Sequence, residues 1–154
     1  MIEINIWAAI REMPAFDPNP VLLYDGVCGL CNRLVQFVIR RDQHDKFRFA
    51  SLQSAIAASV LERHGKSPQS LDTMYLVVNF GQPTEQLLMR SDAVIFLVAA
   101  LGGVWRPATV LLGLLPHWVR NRVYNLVARN RYRIFGKYDT CPLPDRKHRA
   151  KFLE

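Results

Sequence analysis

The chain predicts an α/β fold in one domain, with elements in the order β-α-β-α-β-β-α over Val21 to Leu101 and a helical extension behind them. Three observations carry this reading. Short strand-like runs end at turn residues, the segments between them repeat apolar residues at helical spacing, and 154 residues suffice to bury a core without disulfide staples or a structural metal.

Val21-Leu22-Leu23-Tyr24 is a continuous apolar run that stops at Asp25-Gly26, the pattern of a strand buried on both faces. Beyond that turn Leu30, Leu34, Phe37, Val38 and Arg41 recur at helical spacing, which gives a helix with one apolar stripe reaching about Asp42. Phe47 to Ala50 alternates as a second strand. The Ala, Leu and Val content from Gln53 to His64, closed by Gly65 where a left-handed cap would stand, gives a second helix. Met74 to Asn79 reads as a third strand, and Phe80-Gly81-Gln82-Pro83 as a hairpin turn into Glu85 to Met89. Ser91 is placed to cap the next helix, which runs to Gly102-Gly103. The first two strands should be parallel, followed by the hairpin and a closing helix. Trp105 to about Arg131 reads as two helices broken at Pro116, with Pro142 and Pro144 ending regular structure. Residues 1–20 are then an N-terminal extension, 21–104 the core, and 105–154 a basic helical extension that packs on the same domain or covers its reactive edge.

The composition is 50% hydrophobic and 21% charged, which excludes a disordered or fibrous chain. The net charge of +7 is uneven: Met1 to Val104 carries −1, and Trp105 to Glu154 carries +8. The favoured reading of the basic half is a solvated face; the alternatives are weak docking to a membrane surface or a partner, with nucleic acid disfavoured. Met1 to Pro20 lacks a basic start and a long apolar core, so no targeting segment is read there and a cytoplasmic location is expected. Ala93 to Val119 is strongly apolar, but Arg106 and Pro107 cut it into pieces too short to span a bilayer.

The chemistry concentrates at Asp25-Gly26-Val27-Cys28-Gly29-Leu30-Cys31-Asn32. Cys28 falls at the amino end of a helix, where unpaired N–H groups and the dipole favour a thiolate; it is the candidate nucleophile. Cys31, one turn further in, is the candidate resolving thiol, expected to be the more buried and less acidic of the two. Attack by Cys28 on a disulfide and displacement by Cys31 would leave a Cys28–Cys31 bridge. Gly26 and Gly29 should let the loop turn sharply and clear the approach path. Asp25 either accepts the Cys31 proton or caps the helix and braces the loop; Tyr24 and Asn32 either border the site or are simply a core tyrosine and a first-turn asparagine. The same spacing supplies half of many zinc sites, but Cys141 and the four histidines offer no paired ligand spacing, and thiol exchange calls for no cofactor. A non-enzymatic redox-sensing or metal-binding module is the alternative reading.

The element order is that of a thioredoxin-like domain, and the string Asp25-x-x-Cys28-x-x-Cys31 directly after an apolar strand resembles the signature of the DCC family of thiol-disulfide oxidoreductases. The resemblance continues through Arg90-Ser91-Asp92-Ala93 and Gly103-Val104-Trp105 to the run from Asn130 to Gly136. It implies a thioredoxin-like fold and oxidoreductase activity, with Asp25, Cys28 and Cys31 as the motif residues; the substrate expected for such a couple is a disulfide-containing protein or a small thiol. One departure stands out: thioredoxins set a cis-proline before the strand facing the cysteines, whereas here Leu71-Asp72-Thr73 precede it. Asp72 or Thr73 would take that place. Cys141 is expected outside the catalytic couple, as at most a regulatory thiol near the site. Between Arg129 and Cys141 basic residues interleave with aromatics, read as a tail packing on the core under arginine stems.

Overall fold

The structure is a computed structural model and describes residues 19–69, 72–142 and 144–153. Most of the N-terminal extension expected over 1–20 lies outside the described residues. The elements are β1 (Val21–Tyr24), α1 (Gly29–Arg41), β2 (Arg48–Ser51), α2 (Ala55–Arg63), β3 (Tyr75–Val78), β4 (Gln86–Met89), α3 (Arg90–Leu101), α4 (Arg106–Leu114) and α5 (His117–Phe135). The four strands form one sheet in the order β2-β1-β3-β4. The pair β1–β2 is parallel, and β1–β3 and β3–β4 are antiparallel. This mixed sheet with its helical C-terminal part is consistent with a thioredoxin-like fold.

The continuous apolar run of β1 is explained by its place in the middle of that sheet. Leu22 and Tyr24 face a core built with Val35, Val38, Phe47, Phe49, Phe96 and Leu97, so α1 and α3 cover one side. Val21 and Leu23 face the opposite core with Ala57, Val60, Leu61 and Val77, so α2 covers the other. Alternation along the strand places its residues in both cores. The turn after β3 uses Asn79 and Gly81, both with positive φ, and Gly65 closes α2 in the same region.

Two expectations are corrected here. Ser91 does not cap α3: the cap position is Met89, without a side-chain hydrogen bond, because β4 runs directly into the helix with Arg90 at φ +54°. The Ser91 hydroxyl is buried in the first turn and donates to Asn121 Oδ1 of α5 at 2.7 Å. Regular structure also does not end at Pro142 and Pro144. A 3-10 turn over Arg146–Lys151 follows, and the chain then returns to the outer edge of β2, where Phe152 bridges Phe49 and the Leu153 N–H donates to the Phe49 carbonyl at 2.7 Å. The Phe152 ring lies 5.3 Å from that of Phe49, a contact worth about 0.5–1.5 kcal/mol beyond its burial. An edge strand offers unpaired backbone groups, and Phe152 and Leu153 cover the Phe49 carbonyl on β2.

After a 3-10 turn at Gly103–Trp105, α4 and α5 are separated at Pro116, as the sequence predicts, but α5 continues four residues past Arg131 to Phe135. It packs across α1 and α3, and this extra turn carries its end to the amino terminus of α1. No helix among the described residues is long and apolar enough to cross a membrane.

Candidate active site

The loop Asp25–Cys28 joins the carboxyl end of β1 to the amino end of α1. Cys28 occupies the cap position, its Sγ accepting from the Cys31 N–H at 3.4 Å. Asn32 Nδ2 donates to the carbonyls of Gly26 at 2.8 Å and Cys28 at 2.9 Å, which ties the loop to the first helical turn. The Asn32 placed beside the site by sequence thus braces it.

The two thiols differ sharply. The Cys28 thiol is pulled down to about 6, foremost by a hydrogen bond from the Cys31 thiol, with the backbone N–H groups of Cys31 and Leu30 and the charge of Arg131 acting the same way against burial. The Cys31 thiol is pushed far above the ordinary thiol range by its hydrogen bond to Cys28, by burial and by the negative charge next to it. The acidity order agrees with the sequence reading; as for burial, Cys31 has more of the protein packed around it, as expected, but Cys28 is the one closed off from solvent. Cys28 has no solvent-exposed surface, whereas Cys31 is half-buried.

Cys28 is covered by a strap that follows α5. The Gly29 N–H donates to the Gly136 carbonyl at 3.1 Å, the Tyr138 N–H donates to the Val27 carbonyl at 2.7 Å, and Cys28 and Lys137 form an antiparallel bridge. This contact also corrects the role given to the loop glycines, neither of which has positive φ. A Cβ on Gly29 would stand 2.1 Å from the Phe135 carbonyl oxygen, and one on Gly26 would stand 2.5 Å from Cys141 Sγ. Both are glycine because another part of the backbone or a side chain lies against them.

Asp25 is buried and does not cap the helix. Its Oδ1 accepts from the Val27 N–H at 3.2 Å and from Gln53 Nε2 at 3.0 Å, while its Oδ2 pairs with Arg131 Nη2 at 3.3 Å and accepts from the Tyr132 hydroxyl. Arg131 is buried too, donates through Nη1 to the Asp72 carbonyl at 2.9 Å, and lies 4.6 Å from the Tyr132 ring centre. Arg131 and Tyr132 therefore belong to the site as well as to the packing of the tail. Sequence reasoning missed this role, and the signal available was their place in the Asn130 to Gly136 run that carries the resemblance. Gln53 carried no comparable signal.

Asp25, Cys31, Thr73 and Arg131 line one cavity of about 330 Å³. Asp72 and Thr73 hold the segment before β3, and there is no cis peptide among the described residues. Cys141 is half-buried with its Sγ against Gly26, on the strap side of the loop. No group of three or more His, Cys, Asp or Glu with metal-site geometry occurs among the described residues.

The model of the DCC1-like thiol-disulfide oxidoreductase family matches residues 22–137. The Bacillus subtilis protein YuxK is 40% identical over 136 residues, covering 88% of this chain and 95% of its own length. A chloroplastic DCC family protein of Arabidopsis thaliana is 34% identical over 137 residues, covering 87% of this chain and 77% of its own. No solved structure matches. The match takes in the cysteine pair, Asp25, and the Arg131 that reaches back to it, and by that extent the chain belongs to the DCC1-like thiol-disulfide oxidoreductase family.

Proposed function

We propose that the protein catalyses thiol-disulfide exchange through Cys28 and Cys31, on a disulfide-containing protein or a small disulfide, in a reducing compartment such as the cytoplasm. The observation that carries this is the placement of two thiols on one turn, with Cys28 at the cap of α1 and its Sγ accepting from the Cys31 N–H at 3.4 Å; the Cys28 thiol is accordingly lowered to about 6 and that of Cys31 raised. At neutral pH the first is mostly thiolate, and only the thiolate attacks a disulfide.

In the forward step Cys28 Sγ bonds to one substrate sulfur, the substrate S–S bond breaks, and the other sulfur leaves as a thiolate. Forming the mixed disulfide removes the Cys28 thiolate to which the Cys31 thiol donates, and with it the largest cause of the low acidity of Cys31. Cys31 then attacks Cys28 Sγ, its proton passes to the departing sulfur, and a Cys28–Cys31 disulfide remains, so two electrons have moved to the substrate. Asp25 is a positioning residue in this reading: a carboxylate that already accepts from four donors holds Arg131, whose charge favours the thiolate. Because Cys28 is covered, the strap at Lys137 must lift for substrate to enter.

Glutathione disulfide serves as the test substrate. The Cys31→Ser variant should accumulate a mixed disulfide at Cys28, identified by mass spectrometry, and Cys28→Ser should form none. A mixed disulfide on Cys31 in the Cys28→Ser variant would reverse the roles, and stoichiometric zinc in protein purified without added metal would favour the metal-binding alternative.

We also propose that the α4–α5 hairpin docks on an anionic membrane surface. Val110, Leu111, Leu114, Trp118 and Leu126 are all more than half exposed, and exposed Arg106, Arg122, Arg129 and Arg133 are interspersed among them. Apolar side chains next to arginines match the acyl and headgroup layers of an acidic bilayer.

A further inference from the structure

The cavity that reaches Cys31 continues between α1, α3, α4 and α5, where its wall is almost wholly apolar: Leu34, Val94, Ile95 and Leu112 lie along it, and the exposed Leu115 and Val123 belong to the same lining. One side chain does not suit such a wall. Arg120 of α5 lines the cavity with its Nε and Nη1 buried and without a hydrogen-bond acceptor among the described residues. Its nearest acidic group is Asp92 of α3, whose Oδ1 stands 3.8 Å from Nη1, too far for a hydrogen bond, and whose Oδ2 faces His117. That carboxylate offsets the charge of Arg120 and leaves the two donors unfilled. Elsewhere on the wall the Tyr124 hydroxyl accepts from the Met74 N–H at 3.0 Å, and Arg131 donates through Nη1 and Nη2 to Asp72, Asp25 and Tyr132, whereas the Arg120 Nε and Nη1 make no hydrogen bond among the described residues.

Leaving buried donors of a guanidinium unfilled is costly, and a carboxylate is the acceptor whose geometry matches its planar fork. A volume of about 330 Å³ lies at the small end of the range of small-molecule sites, roughly 300–1,000 Å³, in which a few polar groups orient an otherwise apolar ligand. We propose that this cavity binds a small amphipathic carboxylate, an aliphatic chain ending in one acid group, with the acid accepting from Arg120 and the chain filling the apolar part. This binding is non-covalent and does not depend on thiol exchange, although its position beside Cys31 lets an occupant govern access to that thiol.

The test is calorimetric titration of the full chain with octanoate and, separately, with octanol, which has the same chain and no charge. Octanoate should bind at least about tenfold more tightly than octanol, since hydrogen bonds to charged groups contribute about 1.5–3 kcal/mol. Arg120→Gln should lose that advantage while keeping the octanol affinity. Val94→Phe, which fills the cavity and leaves the arginine, should weaken both. Equal affinity for the two probes, no octanoate binding, or full octanoate affinity in Arg120→Gln would overturn the proposal. If Arg120→Gln does not fold, as judged by its thermal transition, the wild-type comparison and Val94→Phe decide. Glutathione exchange is followed in the same samples: binding without exchange would remove only the thiol reading, and exchange without binding only this one.

Discussion

Cys28 and Cys31 are the same residue type in adjoining positions of one turn, and what separates them is which sulfur receives hydrogen bonds. Cys28 Sγ takes the Cys31 thiol and N–H, and Cys31 is left to hold the proton. The rate of iodoacetamide alkylation at Cys28, followed against pH, should therefore have its midpoint near 6 and fall as pH drops below it, because protonation removes the nucleophile. Cys31→Ala deletes the largest cause of the low value and should move the midpoint up by at least about one unit; Cys31→Ser keeps a hydroxyl donor and should move it less. Equal midpoints in wild type and Cys31→Ala would remove that hydrogen bond as the cause. Asp25→Asn separates positioning from proton transfer. Taking away the charge that balances buried Arg131 should cost about 3–5 kcal/mol of stability in urea unfolding, and in the folded fraction the loosened Arg131 should let the Cys28 midpoint rise. A base would instead give no rise and let the mixed disulfide accumulate. The cysteine pair and Asp25 were legible in sequence because their spacing after an apolar strand is a local signal. Arg131 was not, since its partner is 106 residues away and its place in the Asn130 to Gly136 run marks the family without marking a buried charge.

Strands and helices were legible to within a few residues where one apolar face decides them. The misreadings fall where tertiary contact takes over. Ser91 has the residue type of a cap, yet Asn121 claims its hydroxyl; the segment after Pro144 has little periodicity, yet the open edge of β2 orders it. The same holds for the strap, which sequence shows only as a basic, aromatic tail. Its hold on the active loop consists of the Gly29 to Gly136 and Tyr138 to Val27 backbone bonds and the Lys137 ammonium 5.4 Å from the Tyr132 ring. Tyr138→Pro removes the donor to Val27 without touching either cysteine. Alkylation of Cys28 should then quicken severalfold at fixed pH, with the pH midpoint unchanged, because access increases while the acidity determinants stay in place. An unchanged rate would mean that the strap does not limit access, and a shifted midpoint would mean that it tunes the thiol.

At the scale of the whole molecule, charge and apolar exposure are concentrated on the same segment: residues 105–154 carry +8, and Leu114 and Trp118 expose 74% and 68% of their surface there. The charge asymmetry is readable from the sequence. The exposed apolar row is readable only as an alternative to two buried helices, the reading the sequence favours, because the helical spacing of α4 and α5 looks the same whether the stripe faces a core or solvent. Monomeric soluble domains seldom leave so many large apolar side chains uncovered along one helical hairpin, so a covering surface is implied. An anionic bilayer supplies both acyl contact and headgroup charge, and attraction to it should weaken as salt shortens the Debye length. In flotation assays the protein should rise with phosphatidylserine-containing vesicles at low salt, remain below with pure phosphatidylcholine, and lose most of its binding as salt is raised. Trp118→Ser combined with Leu114→Ser should abolish flotation while the thermal transition stays within about a few degrees of wild type, since both side chains lie outside the core. A stable dimer in sedimentation that the same double variant dissociates, with no flotation at any salt, would assign the hairpin to a second copy of the chain instead.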